Sequence, residues 1–303
     1  MNIYLPNMID LSKIKTYPIS QRKNKFSIKD MIPLDSGIDL QNDDIRKIAR
    51  LIVEAKQKDA KVILMIGGAV VKVGCSAILI DLIRRGIIDH IALNGGASIH
   101  DFEIAMIGET SEDVQNGLKD GTFGMATETL TYMNEALNTG YEKNEGYGLS
   151  IGRKVAELDF PHKRLNILYN AMIQNIPGTV HIAIGGDIIH QHPSCNGAAL
   201  GKTSFIDFQR MIKTTTKLTD GVLLNVGSAV NLPEVFLKAI TMVRNMGYDV
   251  KNFTTANFDF LNMYRARTRI VEWPKILGGQ GFDIRENHTK TIPTLYKYIL
   301  EMI

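Results

Sequence analysis

Two residues beyond the only tryptophan, Trp273, stands Lys275, with Pro274 fixing the backbone between them. A lysine beside an aromatic wall and among other cations is a candidate imine-forming nucleophile, although spacing alone favours a solvated surface lysine. Arg265, Arg267 and Arg269 lie just upstream in the same stretch. Three guanidiniums repel a polyamine and pair with a carboxylate or phosphate, so if this loop lines a pocket its substrate should carry an anionic group. The same arginines could instead face solvent or a neighbouring subunit's acids. A second constellation, His190, Gln191, His192 and Cys195, carries ligand types that suit zinc, and alternate residues of a strand would turn both histidines to one side. No fourth ligand lies nearby, so the group reads as pocket lining and no metal is assigned.

The elements that must position such residues are legible around Lys61 to Asp101. Val62 to Ile66 is an apolar run of strand length, Gly67 and Gly68 break it, and Ala69 to Arg85 carries apolar residues at helical spacing. The pattern repeats: a short strand at His90 to Leu93, then Asn94-Gly95-Gly96, then a helix from about Ser98 to Met106. Two strand, glycine turn and helix units in a row imply parallel strands, and helix amino termini behind glycine turns can hold an anion. Neither turn is a strict G-x-G-x-x-G, and glycines also serve simply to let helix and strand pack closely. Further strands are expected at Thr179 to Ile184, Asp187 to His190 and Gly221 to Leu224. Helices are expected at Ser150 to Phe160, Arg164 to Asn175, Asp207 to Lys217 and Pro233 to Met246. The alternation predicts an α/β fold, a Rossmann-like open parallel sheet with helices on both faces.

The domain plan is an N-terminal arm over 1–42, of a kind that often crosses a neighbouring subunit, and one α/β domain over 43–303. Asn42 and Asp43 can cap the domain's first helix, which sets Ile45, Ile48, Ala49, Ile52 and Ala55 on one face. Of 303 residues 45% are hydrophobic and 22% charged, an ordinary globular composition. A net charge of +3 with scattered basic residues argues against nucleic-acid binding. Two cysteines cannot frame a disulfide scaffold and point to a reducing compartment. With no signal-peptide pattern and no apolar run of spanning length, a cytoplasmic protein away from membranes is expected.

Several segments together resemble the deoxyhypusine synthase family. GGAVVKVG resembles its first nucleotide loop, LNGGASIHD its second, PSCNGAALG its P-x-x-(T)-D-G-S-L-G segment and NVGSAV its glycine-rich turn. TTANFD resembles the N-T-A-Q-E-F-D strand and loop, and EWPKI stands where the family has S-W-G-K-I, at the same spacing from the aspartate. The resemblance implies a deoxyhypusine synthase-like fold, bound NAD and a homotetramer with shared active sites. It implies cofactor contacts at Gly67, Gly68, Ala69, Asn94, Gly95, Gly96, His100, Asp101, Asn196, Gly197, Gly227, Ser228, Thr254, Thr255, Asp259 and Glu286, with Lys275 receiving an aminobutyl group as an imine against Trp273. The departures are specific. Leu232 stands where the family has its histidine, Asn262 and Arg269 stand at its polyamine-gripping acids, and Gly68-Ala69 replaces a serine-asparagine pair. His288 could replace the lost histidine, and Asp101, Asp187, Asp259, Glu272 and Glu286 remain as carboxylates for an amine.

The activity this implies is NAD-dependent aminoalkyl transfer from a small amine or amino-acid substrate to a protein lysine. The alternatives are a homospermidine synthase-like enzyme with a diamine acceptor, and an NAD-binding homologue with altered substrate or no catalysis.

Overall fold

The computed structural model describes residues 9–303; the first eight residues of the expected arm lie outside the described residues. In chain order the elements are β1 (Asn24–Ser27), α1 (Asp43–Gln57), β2 (Val62–Ile66), α2 (Gly68–Lys72), α3 (Ser76–Arg84), β3 (His90–Asn94) and α4 (Gly95–Ile107). Next come β4 (Glu109–Glu112), α5 (Val114–Asp120), α6 (Thr127–Lys143), α7 (Tyr147–Glu157), α8 (Ile167–Ile173), β5 (Gly178–His181) and α9 (Gly197–Thr215). The chain closes with β6 (Val222–Val226), α10 (Asn231–Asn245), β7 (Thr254–Phe258), α11 (Tyr264–Ala266), β8 (Gln280–Ile284) and α12 (His288–Leu300).

Six strands form one all-parallel sheet in the order β5-β3-β2-β6-β7-β8. Counted within that sheet, this is 3-2-1-4-5-6, the doubly wound order. The strand order reverses between β2 and β6, so that pair marks the switch point. All five residues of β2 and of β6 are buried, as a strand covered on both faces requires. One face carries Val62, Leu64, Ile66, Leu93 and Val226 against α1, α3, α4 and α12; the other carries Ile63, Met65 and Leu223 against α10 and the end of α9. No helix among the described residues is long and apolar enough to cross a membrane.

α1 begins where the sequence places it, with Asn42 Oδ1 accepting from the Ile45 amide at 2.9 Å and the five expected apolar residues all buried. The expected helix from Ala69 to Arg85 is instead two helices. Gly74 breaks it with φ +88°, and the Ile32 amide of the arm donates to the Gly74 carbonyl at 3.0 Å. The arm's described residues fold onto their own chain: β1 pairs antiparallel with β4, and Arg22 is buried against Glu103 at 2.7 Å.

A polar row crosses the far half of the sheet. Asn225, Asn257 and Asp283 are register partners on β6, β7 and β8. Asn225 Nδ2 donates to Asn257 Oδ1 at 2.9 Å, and Asn257 Nδ2 donates to Asp283 Oδ1 at 3.0 Å.

Candidate functional site

In an open parallel sheet a ligand sits outside the carboxyl ends of the strands at the switch point. Here that point is built from glycines. Gly67 follows β2 and Gly227 follows β6, and a methyl group added at Gly67 would lie 1.9 Å from the Gly227 carbonyl oxygen. Gly68 is less crowded but still tight, with its missing Cβ 3.2 Å from His100 and 3.3 Å from Gly96. Three turns, after β2, β3 and β6, therefore converge. The amides of Gly95 and Gly96 fall in the first turn of α4, where no intrahelical acceptor exists, and the helix dipole adds positive potential. Asn94 Oδ1 takes the third amide of that turn, from Ala97, at 2.8 Å.

His288 joins this point from the first turn of α12. It is 4% exposed, and neither ring nitrogen has a hydrogen-bond partner. Its Nε2 lies 2.9 Å from where a Gly227 Cβ would stand. Burial holds its pKa below the usual imidazole value, and the nearby Asp259 carboxylate pulls the other way. Asp259 sits at the end of β7, 7% exposed, accepting from the Leu261 amide at 3.2 Å.

Beside α4 lies a cavity of about 200 Å³ whose wall includes Arg22, Lys72, His100, Glu103, Glu112 and Asp187. Thr110 Oγ1 donates to Glu103 Oε2 at 2.6 Å and lies 2.8 Å from His100 Nδ1. The threonine proton is thereby committed to Glu103, so His100 Nδ1 carries the hydrogen and its Nε2 remains an acceptor. Burial works against the Arg22 charge, and the hydrogen bond with Glu103 together with the charges of Glu103 and Glu112 more than restores it. Burial raises Glu112. A larger hollow, about 560 Å³ and lined by Lys61, Arg210, Lys213 and Lys217, opens at the amino ends of the strands, the wrong edge for the switch point.

Gly67, Gly68, Gly95, Gly96, His100, Gly227, His288 and Asp259 thus surround one crevice. Ala69 lies in the short α2, and Ser228 Oγ accepts from the Leu232 amide at 3.3 Å. Asn196 caps α9 ahead of Gly197, its Oδ1 accepting from Ala198 and Ala199 at 3.0 and 3.3 Å. Glu286 stands past the end of β8 and accepts from the Asn287 amide, which lowers its pKa.

Other expected residues lie elsewhere. Thr254 and Thr255 open β7, at the opposite end from the crevice, and Thr255 donates to the Ile270 carbonyl. Trp273 and Lys275 lie in a 3-10 helix, Trp273–Leu277, which follows a π-helical stretch, Arg267–Glu272, and leads into β8 at its amino end, where the Leu277 carbonyl accepts from Asn252 at 3.0 Å. Lys275 is exposed. Trp273 stacks under Arg269, 4.7 Å from its centroid. Arg265 and Arg269 pair with Glu234 at 3.2 and 2.8 Å, and Arg267 with Glu272 at 3.3 Å, so each arginine has an acidic partner within the chain.

Asp101 is turned away from the crevice. Fully buried, its oxygens accept from the Ile167 and Leu168 amides at 2.7 and 3.2 Å and cap α8. Burial pushes its pKa from 3.8 up to about 7 against those two bonds. The folded state therefore holds this proton between about 4 and 7 while the unfolded chain releases it, and the group's contribution to stability falls as pH rises across that window. Asp101→Asn can satisfy only one of the two amides. It should cost about 1–2 kcal/mol and flatten part of that slope, which melting at several pH values checks.

The segment Asp187 to His190 is not a strand: Asp187 is the N-cap residue of a short 3-10 helix, Ile188–Gln191, and His190 Nδ1 gathers the Gly185 and Asp187 amides at 3.1 and 3.3 Å. His192 turns to Ser194, 2.6 Å away. Among the described residues no three His, Cys, Asp or Glu side chains could share a metal ion. Sequence reasoning missed Arg22, Lys72, Glu103 and Glu112. Glu103 alone left a signal, one helical turn beyond His100 on α4.

Among known families, a model of the C-terminal Rossmann-fold domain of ArgZ-like arginine dihydrolases matches residues 46–140, less than half of the chain. No curated protein matches the chain in sequence. Solved structures share its fold. AgrE in ternary complex with ornithine and NAD+ superposes with a TM-score of 0.54 at 14% identity, covering 85% of this chain and 33% of that one. A putative LOR/SDH protein from Methanococcus maripaludis S2 gives 0.52 at 15%, covering 92% and 73%. A putative deoxyhypusine synthase from Entamoeba histolytica gives 0.52 at 10%, covering 95% and 97%. The chain spans about a third of the length of ArgZ and AgrE. The fold is Rossmann-like, and it is shared with the matched parts of these three proteins.

Proposed function

We propose that the protein is an NAD-dependent enzyme that transfers hydride at an amine-bearing carbon of a small substrate in the switch-point crevice. One observation carries the reading: a buried histidine with both ring nitrogens free, seated on the glycine where the strand order reverses. A buried imidazole without partners is costly unless a ligand uses it. The same fold in AgrE, solved with ornithine and NAD+, supports the dinucleotide. The crevice fits such a group: α4 opens on the free amides of Gly95 and Gly96, and nothing lies nearer than 3.8 Å to the missing Cβ of Gly96.

When bound, NAD supplies the hydride acceptor. The chain's own residues do the rest. His288, held neutral by burial, takes the proton released as the amine is oxidised. Asp259 steadies the imidazolium that results. The test is NADH formation at fixed ionic strength with spermidine, putrescine and amino acids of matching length. Absence of turnover with every amine would sink the reading.

A second reading, aminoalkyl transfer through Lys275 to a protein lysine or a diamine, draws on the exposure of Lys275 beside Trp273 and the 84% exposed Ile276. Because Lys275 lies at the other edge of its own sheet, transfer would need the lysine of a second copy, as a homotetramer with shared sites would provide. Lys275→Arg is then expected to abolish transfer and borohydride trapping while leaving NADH formation intact. Unchanged transfer in that variant would exclude the lysine.

A further inference from the structure

An acid at the end of the second strand is the usual acceptor for the ribose 2′-hydroxyl of a bound NAD. Here the second strand outward from the switch point is β3, and it ends in Asn94, whose side-chain oxygen is committed to the Ala97 amide. The carboxylate arrives from the next crossing. Asp187, in the connection after β5, packs on the Cα of Gly95, so closely that a methyl group there would stand 1.9 Å from Oδ2 and 2.4 Å from Oδ1. Asp187 Oδ2 is buried and has no hydrogen-bond partner.

His190 completes the arrangement. Its Nδ1 accepts from the Gly185 and Asp187 amides, which places the hydrogen on Nε2. That Nε2 is also buried and unpartnered, on a side chain only 6% exposed, 3.9 Å from Asp187 Oδ2. An orphaned acceptor and an orphaned donor therefore stand side by side above the amino terminus of α4. Asp187 lines the 200 Å³ cavity together with Gly96, Gly186 and Ile188. The sequence offers Asp187 equally to a substrate amine. The positive pole of α4 beneath it disfavours a cation at that spot and favours a ligand that carries an anion nearby.

Resting on the dinucleotide reading above, we propose that Asp187 and His190 take the adjacent hydroxyls of the adenine ribose, and that Asp187 makes the site selective for NAD over NADP. A carboxylate accepts from the 2′-hydroxyl, whereas a 2′-phosphate would set two like charges together in a buried place. Arg22 is the cation that could reverse this preference, but it is held by Glu103 at 2.7 Å and faces Glu112 at 3.8 Å. Lys72, also on the wall, is exposed at its lip.

The test is a titration of the full chain with NADH and NADPH, read by nicotinamide fluorescence and by calorimetry, for the native protein, Asp187→Ser, Asp187→Asn and His190→Gln. Native protein should bind NADH at least about tenfold tighter than NADPH, and Asp187→Ser should lose about tenfold for NADH while narrowing or reversing the ratio. Thermal melting without ligand is the second readout, with Asp187→Asn melting no lower than native because it removes an unpaired buried charge. A native preference for NADPH, or an unchanged ratio in a folded Asp187→Ser protein, would overturn the assignment while leaving dinucleotide binding standing. Failure of either dinucleotide to bind the native protein would remove both.

Discussion

His288→Ala is expected to lower NAD-dependent turnover by about 10²–10⁴-fold, the range for losing a positioned proton acceptor, while dinucleotide affinity changes little. The ring is packed on Gly227 at the switch point, makes no hydrogen bond in the free protein, and has Asp259 as its charged neighbour. Since burial keeps its pKa below 6.5, the imidazole is neutral at pH 7 and available as a base. Activity should therefore hold through neutrality and fall on an acid limb lying below pH 6.5, and that limb should vanish in the variant. The backbone contact from Cys75 Sγ to the His288 carbonyl survives the substitution, so α12 stays docked. A folded His288→Ala protein with more than about half of native turnover would remove the histidine from the chemistry.

Gly67→Ala should produce the largest loss of stability of any single methyl addition in the turns, about 3 kcal/mol, at the upper end for overpacking. The backbone of Gly67, at φ −94° and ψ 167°, suits any residue, so the cost is wholly one of space. What the methyl meets is backbone: the Gly227 oxygen at 1.9 Å, its carbon at 2.7 Å and the Ser228 nitrogen at 3.2 Å. None can swing aside, because the Gly67 amide is bonded to the Val226 carbonyl at 2.9 Å. Gly96→Ala is the control. Nothing lies nearer than 3.8 Å to its missing Cβ, and its melting temperature should match the native one. Equal melting of Gly67→Ala and Gly96→Ala would refute the steric account.

These glycines also mark how far the sequence could be read. The run Val62 to Ile66 and its shorter repeat at Ile91 to Leu93 defined the first two strands of the parallel sheet because a doubly covered strand is apolar through its middle. The break at Gly74 was hidden, since what requires it is the arm crossing from forty residues earlier. The crevice glycines were legible, but half of their meaning was not: Gly67 makes room for a backbone and Gly95 for a carboxylate, and composition cannot distinguish the two. Lys275 beside Trp273 took its chemical role from the resemblance of EWPKI to S-W-G-K-I, since spacing alone favours a solvated surface lysine. Spacing does not say at which end of a sheet a connection stops, and here its helical turns run on to the amino edge. Asp187 was visible only as one carboxylate among several, because its partner Gly95 is remote in the chain and close only in the fold.

The polar row across β6, β7 and β8 bears on how this sheet avoids alignment errors. Parallel strands have no tight hairpin to set their stagger, and they meet only after long crossovers. Sliding β7 by two residues would keep every apolar side chain on its proper side, so burial alone is a poor proofreader of that mistake. The amides are not so forgiving. A two-residue slide would put Thr255 or Asp259 opposite Asn225 and strand the Asn257 amide away from Asp283 in a dry interior. Mispaired chains would thus carry orphaned amides that the native alignment relieves, and Asn257→Val should show itself less in the finished protein's melting than in a larger fraction of chains that refold wrongly.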